Sequence, residues 1–478
     1  MNRREILITS SRAAALTALS GPALADQRTT PRTRATGPLR VHPRNPRYFS
    51  DENGRAILLT GAHTWNNLVD MGRGDPPEAF DFGAYLQFLE RYGHNFIRLW
   101  TWDSVTWDTR VLGRWGKDFV HHVAPHPWPR IGPGKALDGK PKFDLKQFDP
   151  EYFKRLRSRV SEAGRRGIYV SIMLFEGWGL MHGNHGRAAP AGWAWRGHPF
   201  HPGNNLNGID AGIKSDPNTG NPCSLVHREV NAIQAAYIRK VVDTVNDLDN
   251  VLYEVINEGG EKTWDWWVVK TLRDHERGKP KQHPVGITGH GAERLADMLA
   301  SPADWISPGS RDGFRDDPPA WDGKKVSLLD TDHIWGIGGN QAWVWKSFLR
   351  GHNPLFMDPY DGSVIGNKFD RKWEPVRRSL GFARRLADRV NLVTMTPHDK
   401  LASTKYCLAD PGSEYLVNVP TGGKVTVDLR KAKGRFEIEW LDCATGQSRT
   451  AGTVDGGYPQ KFSSPVSADA VLHLKGSG

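Results

Sequence analysis

From about Ile57 to Asp361 short β-branched or apolar runs alternate with longer amphipathic stretches, and no other feature constrains the fold as tightly. Eight runs read as strands: Ala56–Gly61, Phe96–Thr101, Tyr169–Phe175, Val251–Ile256, Val285–Thr288, Trp305–Ser307, Val326–Asp330 and Leu355–Met357. Between them the stretches Phe82–Arg91, Pro150–Arg166, His227–Asn246, Trp264–Arg277 and Asn340–Leu349 carry helical spacing. Eight strand–helix repeats predict an α/β fold, a closed (β/α)8 TIM barrel, whose chemistry belongs at the C-terminal ends of the strands. The loops after the second and third runs, residues 103–149 and 176–225, are long and rich in Trp, Gly, Pro and His, as walls of a pocket would be.

Past Arg389 the periodicity shortens. Leu392–Thr394, Ser403–Leu408, Glu414–Val419, Lys424–Leu429, Gly434–Leu441 and Ala470–Leu474 alternate like strands, separated by Pro411-Gly412, Thr421-Gly422-Gly423 and Thr445-Gly446. A small antiparallel β-sandwich over 391–478 is expected after a barrel over 41–390, with Arg371–Arg389 as the last barrel helix. A chain of 478 residues has room for both.

The N-terminus has the order of an export signal: Asn2-Arg3-Arg4-Glu5, an Ala/Leu/Ser-rich stretch from Ser11 to Ser20, then Ala23-Leu24-Ala25. The Arg3-Arg4 pair gives it a twin-arginine-like look, so residues 1–25 are expected to be removed and the protein to work outside the bacterial cytoplasm. Residues 26–40 read as a disordered spacer. No apolar run reaches the length of a membrane span. The net charge of +11, about +9 without the first 25 residues, makes an acidic polysaccharide a candidate partner. Its even spread along the chain argues against nucleic acid. Three cysteines, Cys223, Cys407 and Cys443, make no disulfide framework, although Cys407 and Cys443 fall in the same region.

The fourth run ends Val255-Ile256-Asn257-Glu258, placing a carboxylic acid at a strand's C-terminal end, where partial desolvation favours a proton donor and Asn257 can bind a sugar hydroxyl. The seventh run continues Leu328-Leu329-Asp330-Thr331-Asp332-His333, with Asp330 and Asp332 on one face if extended. Arg98 lies in the second run. His63 and Trp65 follow the first, and Trp102, Glu176, Trp178, His333, Trp335, Asp358 and Tyr360 follow later runs, which makes them candidates for substrate contact at the rim. Tryptophan suits sugars because its apolar face and polar edge match a pyranose ring. No Gly-x-Ser-x-Gly elbow occurs, and the paired histidines His121-His122, with His182 and His185, lack a complete zinc ligand set, so neither a metal nor a cofactor is expected.

These residues resemble those of clan A glycoside hydrolases, whose fourth strand ends in Asn-Glu and whose second carries Asn-x-x-Arg, here Asn95-Phe96-Ile97-Arg98. The resemblance implies a glycosidase with Glu258 as acid/base, and with Arg98 lowering the pKa of a nucleophile on the seventh strand while that of Glu258 is raised. Aligning Leu328 to Asp332 with the Val-Leu-Asp-Gly-Glu type of run in apiosidase-like members puts Asp332 on the nucleophile and Asp330 on its supporting acid, with Asp where the clan has Glu. Retention is what the resemblance implies, and the shorter Asp leaves inversion open. The run Glu414 to Pro420, with Phe436 to Trp440 and Ala444-Thr445-Gly446, is similar to the domain bearing a collagen-binding label that follows apiosidase-like barrels. Two other functions fit the same residues: a carbohydrate- or matrix-binding protein that has lost catalysis, and a lyase acting on an acidic glycan.

Overall fold

The computed structural model describes residues 34–108, 119–180, 193–290, 292–309, 311–366 and 370–477. The expected export signal lies outside them, as do Trp115, His182 and His185.

Eight parallel strands form the central sheet: β1 Gly61–His63, β2 Phe96–Leu99, β3 Tyr169–Glu176, β4 Val251–Asn257, β5 Val285–His290, β6 Trp305–Gly309, β7 Val326–Asp330 and β8 Asn353–Met357. A helix follows each: α1 Phe82–Tyr92, α2 Pro150–Arg165, α3 Arg228–Val245, α4 Lys262–Glu276, α5 Ala292–Ala300, the single turn α6 Arg311–Phe314, α7 Gln341–Leu349 and α8 Glu374–Ala387. Asp81 and Asp149 cap α1 and α2 by accepting from Ala84 and Glu151 backbone N–H groups. The strands run β1-β8-β7-β6-β5-β4-β3-β2, and the two ends meet where the Asn95 N–H donates to the Thr60 carbonyl at 3.0 Å. Gly61 permits that closure, because a Cβ there would stand 2.0 Å from the Phe96 carbonyl oxygen.

The interior is layered by the two-residue period of the strands. Leu59, Phe96, Tyr169, Leu252, Trp305, Leu328 and Leu355 form an apolar floor with Leu39 and Phe49. Gly286 leaves room for the Trp305 indole, since a Cβ would come within 1.9 Å of it. Two residues further along their strands, Arg98, Glu254, Ser307 and Asp330 are equally buried. The same period that builds the floor therefore stacks a polar layer above it.

Two departures from the sequence pattern concern the N-terminal side. Ala56–Ile57 is not the first barrel strand: it pairs antiparallel with Phe49–Ser50, and the barrel strand begins only at Gly61, where the approach to β2 becomes sterically possible. The spacer expected through residue 40 ends sooner. The Ala35 N–H donates to the Gly164 carbonyl at 3.0 Å, Tyr169 donates to the Thr36 carbonyl at 2.7 Å, and Leu39 is fully buried in the floor.

The C-terminal part is antiparallel: β9 Thr396–Pro397, β10 Cys407–Asp410, β11 Glu414–Val419, β12 Lys424–Asp428, β13 Arg435–Asp442, β14 Ser448–Asp455, β15 Pro459–Ser463 and β16 Ala470–Gly476. Six strands in the order β9-β10-β11-β16-β13-β14 make one sheet, and β12 with β15 make a ribbon. Val425, Val427 and Phe462 of the ribbon share a core with Tyr415, Val417, Phe436, Trp440, Leu472 and Leu474 of the sheet. The alternate residues Leu416, Leu441 and Val471 join the hydrophobic core of the barrel instead. The β domain thus braces the barrel through the second face of its sheet. Leu392 to Thr394 form a turn rather than a strand, and β14 and β15 lack a readable alternation because most of their residues are exposed. Cys223, Cys407 and Cys443 are buried free thiols.

Candidate active site

Arg98 is the centre of the polar layer. Its Nε and Nη2 donate to Glu254 at 2.9 and 2.5 Å, Nη1 donates to Asp330 Oδ2 at 3.1 Å and Asp332 Oδ2 at 3.0 Å, and Nη2 also donates to Asn257 Oδ1 at 2.7 Å. Every one of these groups is buried, and Arg98 and Glu254 have no measurable exposure. Burial alone would favour loss of the guanidinium proton, but Glu254, Asp330 and Asp332 outweigh it, and Arg98 stays a cation. The Trp100 indole ring lies 5.0 Å from its guanidinium carbon.

Asp330 ends β7 and starts a 3-10 turn over Thr331–His333, its Oδ1 accepting the Asp332 N–H at 3.0 Å. That turn lifts Asp332 above Asp330 towards the mouth. Asp330 Oδ2 sits 2.8 Å from His63 Nε2. The Trp100 indole donates to His63 Nδ1 at 2.9 Å, so the ring proton lies on Nε2, the nitrogen beside that carboxylate. Burial would raise the Asp330 carboxyl, but His63 and Arg98 prevail and hold it well below the usual carboxylate range. Asp332 is the opposite case. Burial, reinforced by Glu258 and Asp330, pushes it well above its ordinary value despite Arg98. The expectation that Arg98 would depress the Asp332 carboxyl is thus corrected: the depressed group is Asp330, because Asp330 has His63 as well as Arg98, while Asp332 faces two other acids.

Glu258 is half-buried and adopts φ +47, a left-handed backbone that costs a non-glycine residue about 1–3 kcal/mol. Its neighbours impose it. Gly177 and Gly259 pass so closely that a Cβ on Gly177 would stand 2.8 Å from the Gly259 Cα, and the Gly177 N–H donates to the Asn257 carbonyl at 2.9 Å. A carboxylate oxygen of Glu258, one of Asp332 and a ring nitrogen of His333 lie within 4.8 Å of one another. Among the described residues this triangle is where a cation would find ligands, but the histidine is committed elsewhere. His333 Nε2 is 3.1 Å from Asn257 Oδ1, which already accepts from Arg98, so Nε2 carries a proton and has no lone pair to offer. Ser307 Oγ holds Nδ1 at 2.8 Å.

The structure therefore gathers Arg98, Asn257, Glu258, Asp330, Asp332, His63 and His333 around one point at the C-terminal end of the barrel. It places the other candidates differently. Trp65 and Trp102 are buried to within 2 % and pack with Trp100, Trp107 and Trp178, Trp65 lying 5.0 Å from Trp107 and 5.1 Å from Trp178. They build the wall behind the site instead of facing a ligand. Trp178 and Trp335 are half-buried, the latter edge-on to Trp343 at 5.4 Å with Arg315 over its ring. Glu176 is buried, accepting the Gly179 N–H at 2.8 Å. Asp358 is fully buried and tied to Arg377 of α8 at 2.8 and 2.5 Å, and Tyr360 packs on Phe80, Tyr85 and Phe88. Both belong to the barrel's outer layer, because the chain turns outward after β8 towards α8.

Glu254 is the functional residue that the strand-end rule does not select. A charged residue inside Val251-Leu252-Tyr253-Glu254-Val255-Ile256 is a signal in itself, since an unpaired charge does not persist in a buried strand. Arg98 is the matching charge in another apolar run.

No family model matches the chain, and no curated protein matches it. Solved structures do. A protein described as a glycoside hydrolase superposes with a TM-score of 0.58 at 15% identity, over 92% of this chain and 97% of its own. A glycoside hydrolase family 5 protein from Bacteroides vulgatus superposes with a TM-score of 0.59 at 14% identity, over 93% of this chain and 95% of its own. The likeness is one of fold. Both matches extend over barrel and β domain together, since each covers more than nine-tenths of the chain.

Proposed function

We propose that this protein is an exported glycoside hydrolase that cleaves a poly- or oligosaccharide with retention, using Glu258 as acid/base and Asp332 as nucleophile. The observation that carries it is that one carboxylate oxygen of Glu258 and one of Asp332 lie within 4.8 Å of each other at the barrel mouth, with Arg98 behind Asp332. Retaining glycosidases hold their carboxyls about 5–5.5 Å apart, whereas an inverting pair leaves about 6.5–9.5 Å for a water. The 3-10 turn that lifts Asp332 offsets the methylene by which Asp is shorter than Glu. The glycoside hydrolases with the same fold, and the leader-like first 25 residues, support the same function in an exported protein.

The reaction needs Glu258 protonated and Asp332 ionised: with no charge on Glu258, one of the two acids that raise Asp332 is neutral, and Arg98 holds the Asp332 anion. In the first step Glu258 gives that proton to the glycosidic oxygen while an Asp332 oxygen bonds to the anomeric carbon and the C–O bond to the leaving group breaks. In the second, Glu258 takes a proton from a water that attacks the same carbon and releases Asp332. Asp330, His63 and Glu254 keep the Arg98 fork in place between the steps.

The test is turnover of a panel of aryl glycosides and plant and bacterial polysaccharides, with product stereochemistry read by NMR. Retained configuration is expected, with Glu258→Gln and Asp332→Asn each lowering turnover by about 10²–10⁴-fold. Saturable glycan binding without new reducing ends would mean a binding protein, and unsaturated products absorbing in the ultraviolet would mean a lyase.

A further inference from the structure

Beside the catalytic pair stands a third acid that the two-carboxylate chemistry does not use. Glu176 closes β3, is 2 % exposed, and has its Oε2 held by the Gly179 N–H at 2.8 Å. Its Oε1 is buried with no partner among the described residues. Among the described residues no cation reaches it. Asp103, after β2, accepts the Glu176 backbone N–H at 3.3 Å, Glu258 stands beyond the end of β4, and the Cys223 thiol lies on the α3 side. Arg98 touches Asn257 on the far side of its amide, through Oδ1. Gly179 packs so tightly that a Cβ there would come within 2.6 Å of both Glu176 and Trp102.

We propose that Glu176 works as a protonated carboxylic acid, a neutral positioning residue that fastens the chain leaving β3 through the Gly179 N–H and keeps a second negative charge away from Glu258. Two oxygens in different surroundings fit a neutral acid: Oε2 accepts as a carbonyl would, and Oε1 carries the proton. An ionised Glu176 would bury a charge with two acids as its nearest ionisable partners, an arrangement that proteins avoid by neutralising one of them. Burial first, then Asp103 and Glu258, push the Glu176 carboxyl well above its ordinary value. The Gly179 N–H that Oε2 holds lies two residues past Gly177, whose backbone passes Gly259 so closely that a Cβ on Gly177 would stand 2.8 Å from the Gly259 Cα, next to Glu258 in the chain.

This inference rests on the glycosidase reading for its kinetic arm only. Infrared difference spectra of the full-length protein at neutral pH, wild type minus Glu176→Gln, are expected to show the carbonyl stretch of a protonated carboxylic acid. Its absence overturns the proposal whether or not any glycoside is turned over. In kinetics, Glu176→Gln replaces a neutral group by a neutral group, so the alkaline limb of the pH profile should stay where it is in the wild type. Glu176→Ala, with the Gly179 turn released beside the Gly177–Gly259 approach, should lose on the order of 100-fold in turnover. If Glu176 were an anion, the Gln variant would remove a like charge from beside Glu258, and the alkaline limb would fall by ~1–3 pH units. That fall, or a Gln variant as inactive as the Ala variant, would also overturn it. Failure of every substrate with the infrared band present rejects the glycosidase and leaves the protonation state standing.

Discussion

Arg98 and Glu254 meet as a two-pronged pair across the barrel interior, Nε to Oε2 at 2.9 Å and Nη2 to Oε1 at 2.5 Å, with neither side chain exposed. The pair makes the fold and the site interdependent, because the third nitrogen of the same guanidinium holds Asp330 and Asp332. Glu254→Gln keeps the size but offers one acceptor and turns an NH2 group towards the cation. Breaking a buried pair on one side costs about 3–5 kcal/mol. The unfolding free energy should drop by that amount, read as a lower urea midpoint at unchanged slope, and turnover should fall with it because Asp332 loses its fixed partner. An unchanged midpoint would show that the pair contributes nothing to stability.

Asp330 gives a pH-dependent counterpart. His63 and Arg98 hold its folded-state pKa below the unfolded value of about 3.9, so the native state binds fewer protons than the unfolded one around that pH. Its contribution is fully present above about pH 4 and is lost as the pH falls through the depressed folded value. Asp330→Asn should therefore destabilise at pH 7, where the carboxylate pairing is complete, and the gap to the wild type should narrow steadily below pH 4. Equal destabilisation at pH 7 and pH 3 would argue that Asn fails for reasons of shape.

How far the site could be read from the residues depends on what a strand position fixes. The alternation of side chains fixes which face of a strand a residue occupies, so Arg98 and Asp330 were legible, each two residues along its run from the inward-facing Phe96 or Leu328, while Asn257, Glu258 and Asp332 came from the motifs at the ends of their runs. Past a strand's last paired residue that periodicity lapses, and nearness to the end no longer says where a side chain points. Asp358 illustrates this, since one residue beyond β8 it turns to Arg377 of α8. Trp65 and Trp102 lead into a tryptophan cluster whose members are far apart in sequence. The same limit explains β14, where exposure on both faces erases the alternation that marks β12 and β13.

The contact between Gly177 and Gly259 predicts a separation of activity from stability. A Cβ at Gly177 would stand 2.8 Å from the Gly259 Cα and 3.0 Å from an Ile256 methyl, so the exits of β3 and β4 must part. Overpacking of that kind costs about 1–3 kcal/mol. Glu258 follows Asn257 directly, with its left-handed backbone fixed by this approach, and a shift of about 1 Å at a catalytic group costs on the order of 100-fold in rate. Gly177→Ala should thus fold with a modestly lowered melting temperature and lose turnover out of proportion. Wild-type turnover in that variant would show that Glu258 tolerates a different spacing.

Asp103 runs in the opposite sense to Asp330. Burial raises its carboxyl to about 7, only partly opposed by the Glu176 N–H that it accepts. Between the unfolded value of about 3.9 and the folded value of about 7 the native state holds a proton that the unfolded chain has lost, so stability declines as the pH rises through that window. The full difference, three pH units at 1.36 kcal/mol each, is up to about 4 kcal/mol above pH 7. Asp103→Asn presents the same carbonyl acceptor to the Glu176 N–H without an ionisable proton. It should match the wild type in unfolding free energy at pH 4 and exceed it increasingly towards pH 8, as read by urea titrations at several pH values. A variant less stable at pH 8 than the wild type would mean that the Asp103 anion is compensated in the fold, and the burial argument for this carboxyl would fail.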